Sequence, residues 1–412
     1  MSVQTAVVAD AVAGYAARVH AVAGDRHQVA SPLGAWLLLA LAGTASSGAD
    51  REVLTEALGC DIDVAARAAA EVLADLHPLV GAAAAVWTAR GFSGTDEFRR
   101  WLAGLPAAVS TGALPGQAGL DSWAREHTFG LIERFPIDAD LAVLVLATAL
   151  ATKVSWRLPF ELAPASALGS ASPWAGQLDR VLRTPTGPGA SGHRQFITAA
   201  PELGDVIVHA AAAAGGLLVV SVGAAPDVPA GPVLAAAHDI GHRLATGARV
   251  DRRDLASLPL GDGPLWRLRE VVAPADTCTA VLPAWSASSR LDLTDPALGF
   301  AAARRALVPG DDPWAAAQSA MARYTRTGFE AAAVTALAVG MAARLPARHR
   351  EAELRFAYPY AVVAFAVNPD ADLARPTGAA GSPWHGLPVF SAWVREPDDA
   401  TDDQAGPPGD RL

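Results

Sequence analysis

Residues 31–59 read SPLGAWLLLALAGTASSGADREVLTEALG, and this stretch sets the interpretation of the chain around it. Apolar residues at helical spacing predict two helices here, the first over residues 32–43 and the second over residues 50–58. Gly43 and Gly59 are typical helix stops. The same spacing recurs on both sides of the stretch, over residues 5–22 and 63–77. The first third of the chain is therefore predicted to be helical.

Short, valine-rich segments typical of strands follow this helical part. They occupy residues 82–89, 141–156, 205–213, 216–223, 279–285, 361–367 and 387–394. Further helices are predicted near residues 93–103, 119–134, 231–246 and 294–307. Helices first and then mostly strands is the order of an α+β fold. Because no clear linker divides the chain, we expect one domain over residues 1–397 and an acidic, disordered tail over residues 398–412.

The composition excludes several classes of function. With 412 residues, 51% of them hydrophobic, the chain can bury a large core. Its net charge is −10, and no arginine stripe interleaved with aromatic residues indicates a nucleic-acid partner. Asp10 and Arg18 interrupt the apolar N-terminal segment, so we expect neither a signal peptide there nor a membrane span elsewhere. Cys60 and Cys278 are isolated and predict neither a metal cluster nor a disulfide framework.

The strongest enzyme-like motif is HDIGH, residues 238–242, which places His238 and His242 one helical turn apart, as in zinc sites. Asp239 stands where the metalloprotease motif has glutamate, and no third ligand lies at a matching distance. We therefore interpret the two histidines as an exposed pair near a helix end. Since no nucleophile elbow or phosphate-binding loop occurs either, the sequence predicts no enzyme, no cofactor and no metal.

Five separated stretches resemble a known family. They are residues 31–59, residues 120–161, residues 282–300 (LPAWSASSRLDLTDPALGF), residues 327–336 (TGFEAAAVTA) and the final pair YPYAVVAFAV and LPVFSAWVREP. The second stretch ends in K-x-x-W-x-x-P-F, formed by Lys153, Trp156, Pro159 and Phe160. In this order the five stretches look like those of the serpins, large metastable protease inhibitors. The resemblance covers nearly the whole chain.

The resemblance implies three β-sheets, eight or nine helices and an exposed reactive-centre loop from residue 328 to about residue 350. In the family a serine protease cleaves this loop, which then inserts as a new strand into the main sheet and carries the trapped protease with it. For this chain the resemblance implies a monomer whose partner is a serine protease.

The composition of the loop itself suits insertion. Counting by twos from Gly328, one face carries residues that would enter the core: Phe329, Ala331, Ala333, Thr335, Leu337, Val339 and Met341. The other face starts at Glu330 and Ala332 and stays small. By the family's usual spacing the cleaved bond joins Ala342 to Ala343, with Met341 and Arg344 as alternatives. Alanine at this bond suits an elastase-like or subtilisin-like protease, and Arg344 would suit a trypsin-like one.

Some positions depart from the family's pattern. Phe329 stands where inhibitory members generally have threonine or serine, and a bulky ring there would slow insertion. The positions that govern sheet opening map onto Ser31, Gly34, Thr148, Trp156 and Gln318, and several of these differ from the residues that the family has there. These departures favour a second hypothesis, a non-inhibitory serpin-like protein that binds a ligand or a partner.

Overall fold

The computed structural model describes ten segments, residues 3–75, 77–92, 94–152, 155–186, 192–213, 215–308, 310, 315–328, 347–368 and 382–401. The helices in these segments are α1 (Val3–Ala23), α2 (Pro32–Gly43), α3 (Gly48–Leu58), α4 (Ile62–Ala74), α5 (Asp96–Ala103), α6 (Gln117–His127), α7 (Ala230–Thr246) and α8 (Phe300–Leu307). The strands are β1 (Gln28–Ala30), β2 (Val80–Thr88), β3 (Val109–Ala113), β4 (Leu144–Thr152), β5 (Glu161–Pro164), β6 (Arg180–Arg183), β7 (His193–Ala200), β8 (Gly204–Ala213), β9 (Leu217–Gly223), β10 (Gly261–Asp262), β11 (Trp266–Ala273), β12 (Thr277–Leu282), β13 (Trp285–Asp292), β14 (Ala317–Tyr324), β15 (Ala347–Arg355), β16 (Tyr360–Ala366) and β17 (Pro388–Val394). The predicted α+β class is confirmed.

The strands form three layers. The back sheet has the order β1-β17-β16-β9-β8-β7, and the end sheet has the order β10-β11-β15-β12-β6-β5. The front of the molecule consists of two separate ladders, β3-β2-β4 and β13-β14. Sequence neighbours pair in hairpins such as β7-β8-β9, whereas β1 and β17 join the two ends of the chain.

The core lies between the front ladders and the back sheet. Every residue of α2 is buried, as expected for a helix that is apolar on all sides. Trp36 of α2 is fully buried and donates a hydrogen bond from Nε1 to the carbonyl oxygen of Leu58 at 3.0 Å, which ties α2 to α3. α2 therefore lies in the core, packed against β4 of one front ladder and β17 of the back sheet.

Helix α7 packs on the outer face of the back sheet. A Cβ atom at Gly241 would lie only 2.2 Å from the Phe365 ring of β16, so a glycine is needed at this close approach. Helix α1 packs beside α7 and across α2.

One 18-residue window of α1, Ala6–Ala23, is long and apolar enough to cross a membrane by length and composition, which the sequence reading had not anticipated. Half of that window is buried in the protein body. Val12, Tyr15 and Val19 point into the core, as in the core helix of a globular protein.

Several predicted boundaries change. The helix expected over residues 119–134 ends at His127, because Phe129 and Gly130 both have positive φ angles, 53° and 78°, that stop a right-handed helix. Strands β11 and β15 were not predicted, since their alternating arginine and glutamate residues resemble a solvated surface segment.

The folded body extends past the predicted boundary at residue 397. The Asp398 amide donates to the carbonyl of Ala284 at 2.8 Å, and the Asp399 carboxylate accepts from the amide of Asp179 at 2.7 Å. Ala400 is 1% exposed. Residues 398–401, the first part of the tail predicted over residues 398–412, therefore contact the body. Residues 402–412 lie outside the described segments, so the predicted disorder there stays a prediction.

Candidate functional site

A slot runs between the two front ladders. No ladder joins β4 to β14 among the strands that the structure describes. Leu146–Leu150 of β4 and Ala317–Ser319 of β14 line one cavity of about 50 Å³, and Thr152 and Met321–Arg323 line a second of about 30 Å³ further along. β4 and β14 thus run side by side in the same direction. The two edges that face each other are not joined by a ladder of backbone hydrogen bonds. We call this gap the slot.

At the base of the slot, Gln318 binds the backbone of Ser31. The Ser31 amide donates to Gln318 Oε1 at 2.9 Å, and Gln318 Nε2 donates to the Ser31 carbonyl at 2.8 Å. Ser31 Oγ donates to the carbonyl of Val389 at 3.0 Å and accepts from the Gly34 amide at 3.3 Å, capping α2. Ser31 therefore connects three elements, β14, α2 and β17.

Thr148 makes the matching contact from β4. Its Oγ1 donates to the carbonyl of Gly34 at 2.9 Å. A Cβ atom at Gly34 would lie 3.3 Å from Thr148 Oγ1, Ser31 Oγ and Leu150 Cδ1, so glycine allows α2 to come this close. The structure thus brings together four of the five predicted sheet-opening residues, Ser31, Gly34, Thr148 and Gln318, around one cavity.

Helix α6 covers the front of the slot. Trp123 of α6 packs edge to face on Trp87 of β2, with ring centroids 5.1 Å apart, and Phe135 closes the cluster. Phe129 lies just beyond the end of α6, half exposed in the left-handed conformation, with its ring against Gly81 of β2. This cover rests on aromatic packing.

Trp156, the fifth predicted residue, lies at the far end of the slot. Its amide donates to the carbonyl of Thr327 at 3.0 Å, and its Nε1 donates to the carbonyl of Thr325 at 3.0 Å. Ser155 forms a bridge with Gly328, whose φ of 144° favours glycine. The first residue of the predicted hinge is therefore fixed where β4 and β14 end.

The remaining loop predictions fall in residues 329–346, outside the described segments. They concern the hinge residues Phe329, Glu330, Ala331, Ala332, Ala333 and Thr335 and the cleavage-site residues Met341, Ala342, Ala343 and Arg344. These assignments stay predictions. The described chain resumes at Ala347, the first residue of β15.

A buried histidine pair beside Phe160 was missed by the sequence reading. His193 Nε2 donates to the carbonyl of Leu158 at 2.7 Å, so in the neutral ring Nδ1 accepts from His209 Nε2 at 3.0 Å. Burial lowers the pKa of His193 to about 4 and lowers the pKa of His209 well below its usual range. The Phe160 ring lies 4.5 Å from the His193 ring. No spacing in the sequence relates His193 of β7 or His209 of β8 to the K-x-x-W-x-x-P-F motif that contains Phe160.

A larger cavity, about 540 Å³, lies between α1 and α7. Small residues such as Ala13, Ala17 and Ala235 form most of its wall. His20 and His238 also line it, and both are about 95% buried. The expectation that His238 is exposed is wrong, because α1 covers that face of α7. We call this space the α1/α7 cavity.

Two of the histidines that line the α1/α7 cavity, His20 and His238, are neutral near pH 7. Burial lowers the pKa of His20 to about 4 and that of His238 to about 3. Neither ring nitrogen of His238, nor Nδ1 of His20, has a hydrogen-bond partner within the described part of the chain. Asp10, Asp25 and Asp239 also line the cavity, and Asp239 forms an ion pair with Arg243 at 3.6 Å. The described residues contain no group of three or more histidine, cysteine or acidic side chains that could hold a metal ion.

Solved structures match this architecture over nearly its whole length. Tengpin, a thermophilic serpin in the native state, is 14% identical, with a TM-score of 0.63 and coverage of 94% of this chain and 93% of its own. The chain has the serpin fold. Serpin48 of the insect Tenebrio molitor is 15% identical, with a TM-score of 0.58 and coverage of 96% and 99%.

A complex of thyroxine-binding globulin with thyroxine is also similar, at 12% identity, a TM-score of 0.60 and coverage of 94% and 99%. No family model and no curated protein matches the sequence. The serpin assignment therefore rests on three-dimensional similarity, and it confirms the resemblance predicted from the five sequence stretches. In serpin terms the front ladders form the main sheet on either side of the slot.

Proposed function

We propose that this chain inhibits serine proteases as a suicide substrate. A protease cleaves the segment that follows Gly328, and the part before the cut enters the slot between β4 and β14. The observation that carries this proposal is the position of Gly328, bridged to Ser155 at the end of the open slot. A strand that turns back at Gly328 would run antiparallel to both edges, with a ladder on each side.

The residues around the slot suit an incoming strand. Even-numbered residues of β14 face the core, as Gln318, Ala320 and Tyr324 show. A new strand would place Ala331, Ala333 and Thr335 in the same core layer. Each ladder hydrogen bond contributes about 1 kcal/mol net, and burial of the apolar face adds to this. Insertion would therefore stabilise the cleaved protein.

The bond between Ala342 and Ala343 suits an elastase-like or subtilisin-like protease. Small side chains at the cleaved bond fit a small or shallow specificity pocket. Cleavage after Arg344 would instead indicate a trypsin-like target. The inhibitor acts as a monomer, needs no cofactor and has no catalytic activity of its own in this proposal.

The test is incubation with a panel of these proteases, followed by denaturing electrophoresis and mass spectrometry. We expect a covalent complex that survives denaturant, with the cut at residue 342. Ala333→Asp places a charge on the inserting face, so it should be cleaved at the same bond but release active protease. Ala347→Asp, on the exposed start of β15, is the matched control and should still form the complex. Clean cleavage of the unmodified protein with full protease recovery would refute the proposal.

A second candidate function is that of a non-inhibitory ligand carrier. The α1/α7 cavity favours it, because His20 and His238 offer buried, neutral nitrogens without partners to a ligand. The carboxylates of Asp10 and Asp25 in the cavity wall disfavour anions. The fitting ligand is therefore an uncharged apolar molecule with one hydroxyl or carbonyl group. Thyroxine-binding globulin, one of the similar structures, is named for a small-molecule ligand.

A thermal-shift series tests this candidate. Uncharged aromatic alcohols should raise the unfolding midpoint, whereas the matching carboxylates should not. Ala13→Phe fills the cavity and should abolish the shift without affecting complex formation with proteases. An equal shift in the unmodified protein and in the filled variant would exclude binding in this cavity.

A further inference from the structure

A polar cavity of about 170 Å³ lies where β1 passes β13. Two stretches of chain form its wall, residues 26–30 and residues 288–291. No ladder joins β1 to β13 among the strands that the structure describes, so the two strands meet through side chains. The wall contains arginine, histidine, glutamine and serine but no acidic residue. We call this space the β1/β13 cavity.

Two arginine side chains in this wall are unpaired. Arg26 and Arg290 are both exposed, and within the described part of the chain neither side chain forms an ion pair or a hydrogen bond. The protein carries a net charge of −10, so its surface as a whole repels anions. A guanidinium presents a planar fork of N–H donors that matches the oxygens of an oxyanion. The arginine pair therefore gives this surface a local preference for anions that the rest of the chain lacks.

A third arginine adds to the positive charge. Arg395, which directly follows β17, donates from Nη1 to the backbone carbonyl of Asp25 at 3.2 Å, and this bond places its guanidinium beside Arg26. Because the acceptor is a neutral carbonyl, the bond leaves the charge of Arg395 uncompensated. Asp25 itself lines the α1/α7 cavity. Three arginines therefore lie together here, and none of them forms an ion pair within the described residues.

Hydrogen bonds fix the backbone around the cavity. His27 Nε2 donates to the carbonyl of Ser286 at 2.8 Å, and His27 Nδ1 accepts from the amide of Arg395 at 3.1 Å, so one neutral ring ties this segment to β13 and to the chain after β17. Ser289 Oγ accepts from the amide of Val29 at 3.0 Å, which leaves its own hydrogen available to an acceptor in the cavity. The backbone that carries the donors is thus ordered before any ligand binds, which lowers the entropic cost of binding.

The β1/β13 cavity is large enough for a phosphate group. Its volume is several times the share of about 30 Å³ that a water molecule takes in the liquid. A phosphate group carries up to two negative charges and presents three acceptor oxygens, so it can accept from both guanidinium groups at once. A carboxylate, with two oxygens and one charge, would compensate only one of them. The chemistry of the cavity therefore favours phosphate over a carboxylate.

We propose that the β1/β13 cavity binds a phosphate group, free or as a monoester, through the side chains of Arg26, Arg290 and Ser289. The bound group would join β1, at the edge of the back sheet, to the β13–β14 ladder, so it would stabilise the folded protein. This site is separate from the slot and from the α1/α7 cavity. The inference is independent of the proposed inhibitory function, and neither requires the other.

The test measures the unfolding midpoint and the heat of binding for the full chain. Inorganic phosphate and phenyl phosphate are the probes at about pH 8, where both are mostly doubly charged, and sodium chloride at matched ionic strength is the reference. Arg290→Gln removes one guanidinium, whereas Arg290→Lys keeps the charge but loses the fork. Arg67→Gln, at an exposed arginine of α4, is the matched control. Midpoints in sodium chloride alone show that each variant is folded.

We expect phosphate to raise the midpoint of the unmodified protein and of Arg67→Gln equally, and to bind Arg290→Gln about tenfold more weakly, with Arg290→Lys between them. Phenyl phosphate that binds at least as tightly would identify a monoester as the ligand, and binding of inorganic phosphate alone would identify the free ion. Equal binding by all variants, a shift that sodium chloride reproduces, or no binding to the unmodified protein would each refute the site. None of these measurements involves a protease, so such a failure leaves the proposed inhibition standing.

Discussion

Gln318 and Ser31, separated by 287 positions in the chain, are joined by two hydrogen bonds between one side-chain amide and one backbone unit. The contact fixes the edge of β14 to the start of α2, directly beneath the slot. In the proposed mechanism, a strand that enters between β4 and β14 would move this edge, so the contact would link the stability of the uncut protein to the opening of the sheet.

We expect Gln318→Ala to lower the free energy of unfolding by about 2 kcal/mol. The change leaves the buried amide and carbonyl of Ser31 without their partner, and each lost partner costs about 1–3 kcal/mol, partly offset by water. Chemical denaturation measures the effect, and Ser319→Ala, the next residue on the same strand, is the control. Equal stability of both variants would contradict this role of Gln318.

Two glycines in helices should respond to alanine with opposite signs. Gly14→Ala in α1 meets no atom within 4 Å and should stabilise the protein by about 1 kcal/mol through helix propensity. Gly34→Ala in α2 meets Thr148 and Leu150 at 3.3 Å and should destabilise it by about 1 kcal/mol in spite of that propensity. Thermal unfolding of the two variants decides the comparison.

A double-mutant cycle identifies the cause at Gly34. Adding Thr148→Ala to Gly34→Ala removes one of the crowded atoms and should recover part of the loss. If the two substitutions were simply additive, the crowding between α2 and β4 would not be the source of the effect.

The protein should lose stability as the pH falls from about 6.5 to about 4. The folded-state pKa is about 4 for His20 and His193 and about 3 for His238, below the unfolded value of 6.5, so the unfolded chain binds more protons in that window. Each group contributes at most about 1.4 kcal/mol per pH unit. The loss ends once the native histidines also titrate. Unfolding midpoints measured between pH 7.5 and pH 4 test the slope.

His238→Leu should flatten that slope and raise the midpoint at pH 5. The substitution removes one buried titrating group whose two nitrogens have no partners in the described structure, so little native bonding is lost. An unchanged slope would show that His238 titrates in the same way in the folded and unfolded chains.

The sequence predicted those elements whose own apolar pattern is enough to show their type and their burial. α2 is one example, since a helix that is apolar on all sides must be buried wherever it lies. Strands β11 and β15 were missed because Arg269 and Glu351 find their partners only across the ladder, which no local pattern records. Likewise, the exposure of His238 depended on whether α1 covers it. The resemblance, by contrast, placed both Ser31 and Gln318, because it carries long-range information that periodicity lacks.

Phe329→Thr should increase the fraction of protease that is trapped. In the proposed mechanism Phe329 is the first side chain to enter the slot, next to Trp156 and Tyr324, which already fill the end of it with rings 5.0 Å apart. A third bulky ring must displace this packing, whereas threonine enters in an ordinary strand rotamer. We expect the stoichiometry of inhibition to approach one inhibitor per protease, with insertion faster by about tenfold, or about 1.4 kcal/mol in the barrier. Because residue 329 is distant in sequence from the bond at residue 342, the rate of the initial cleavage should not change. A variant with the same partition between complex and cleaved product would show that a step other than the entry of residue 329 limits insertion.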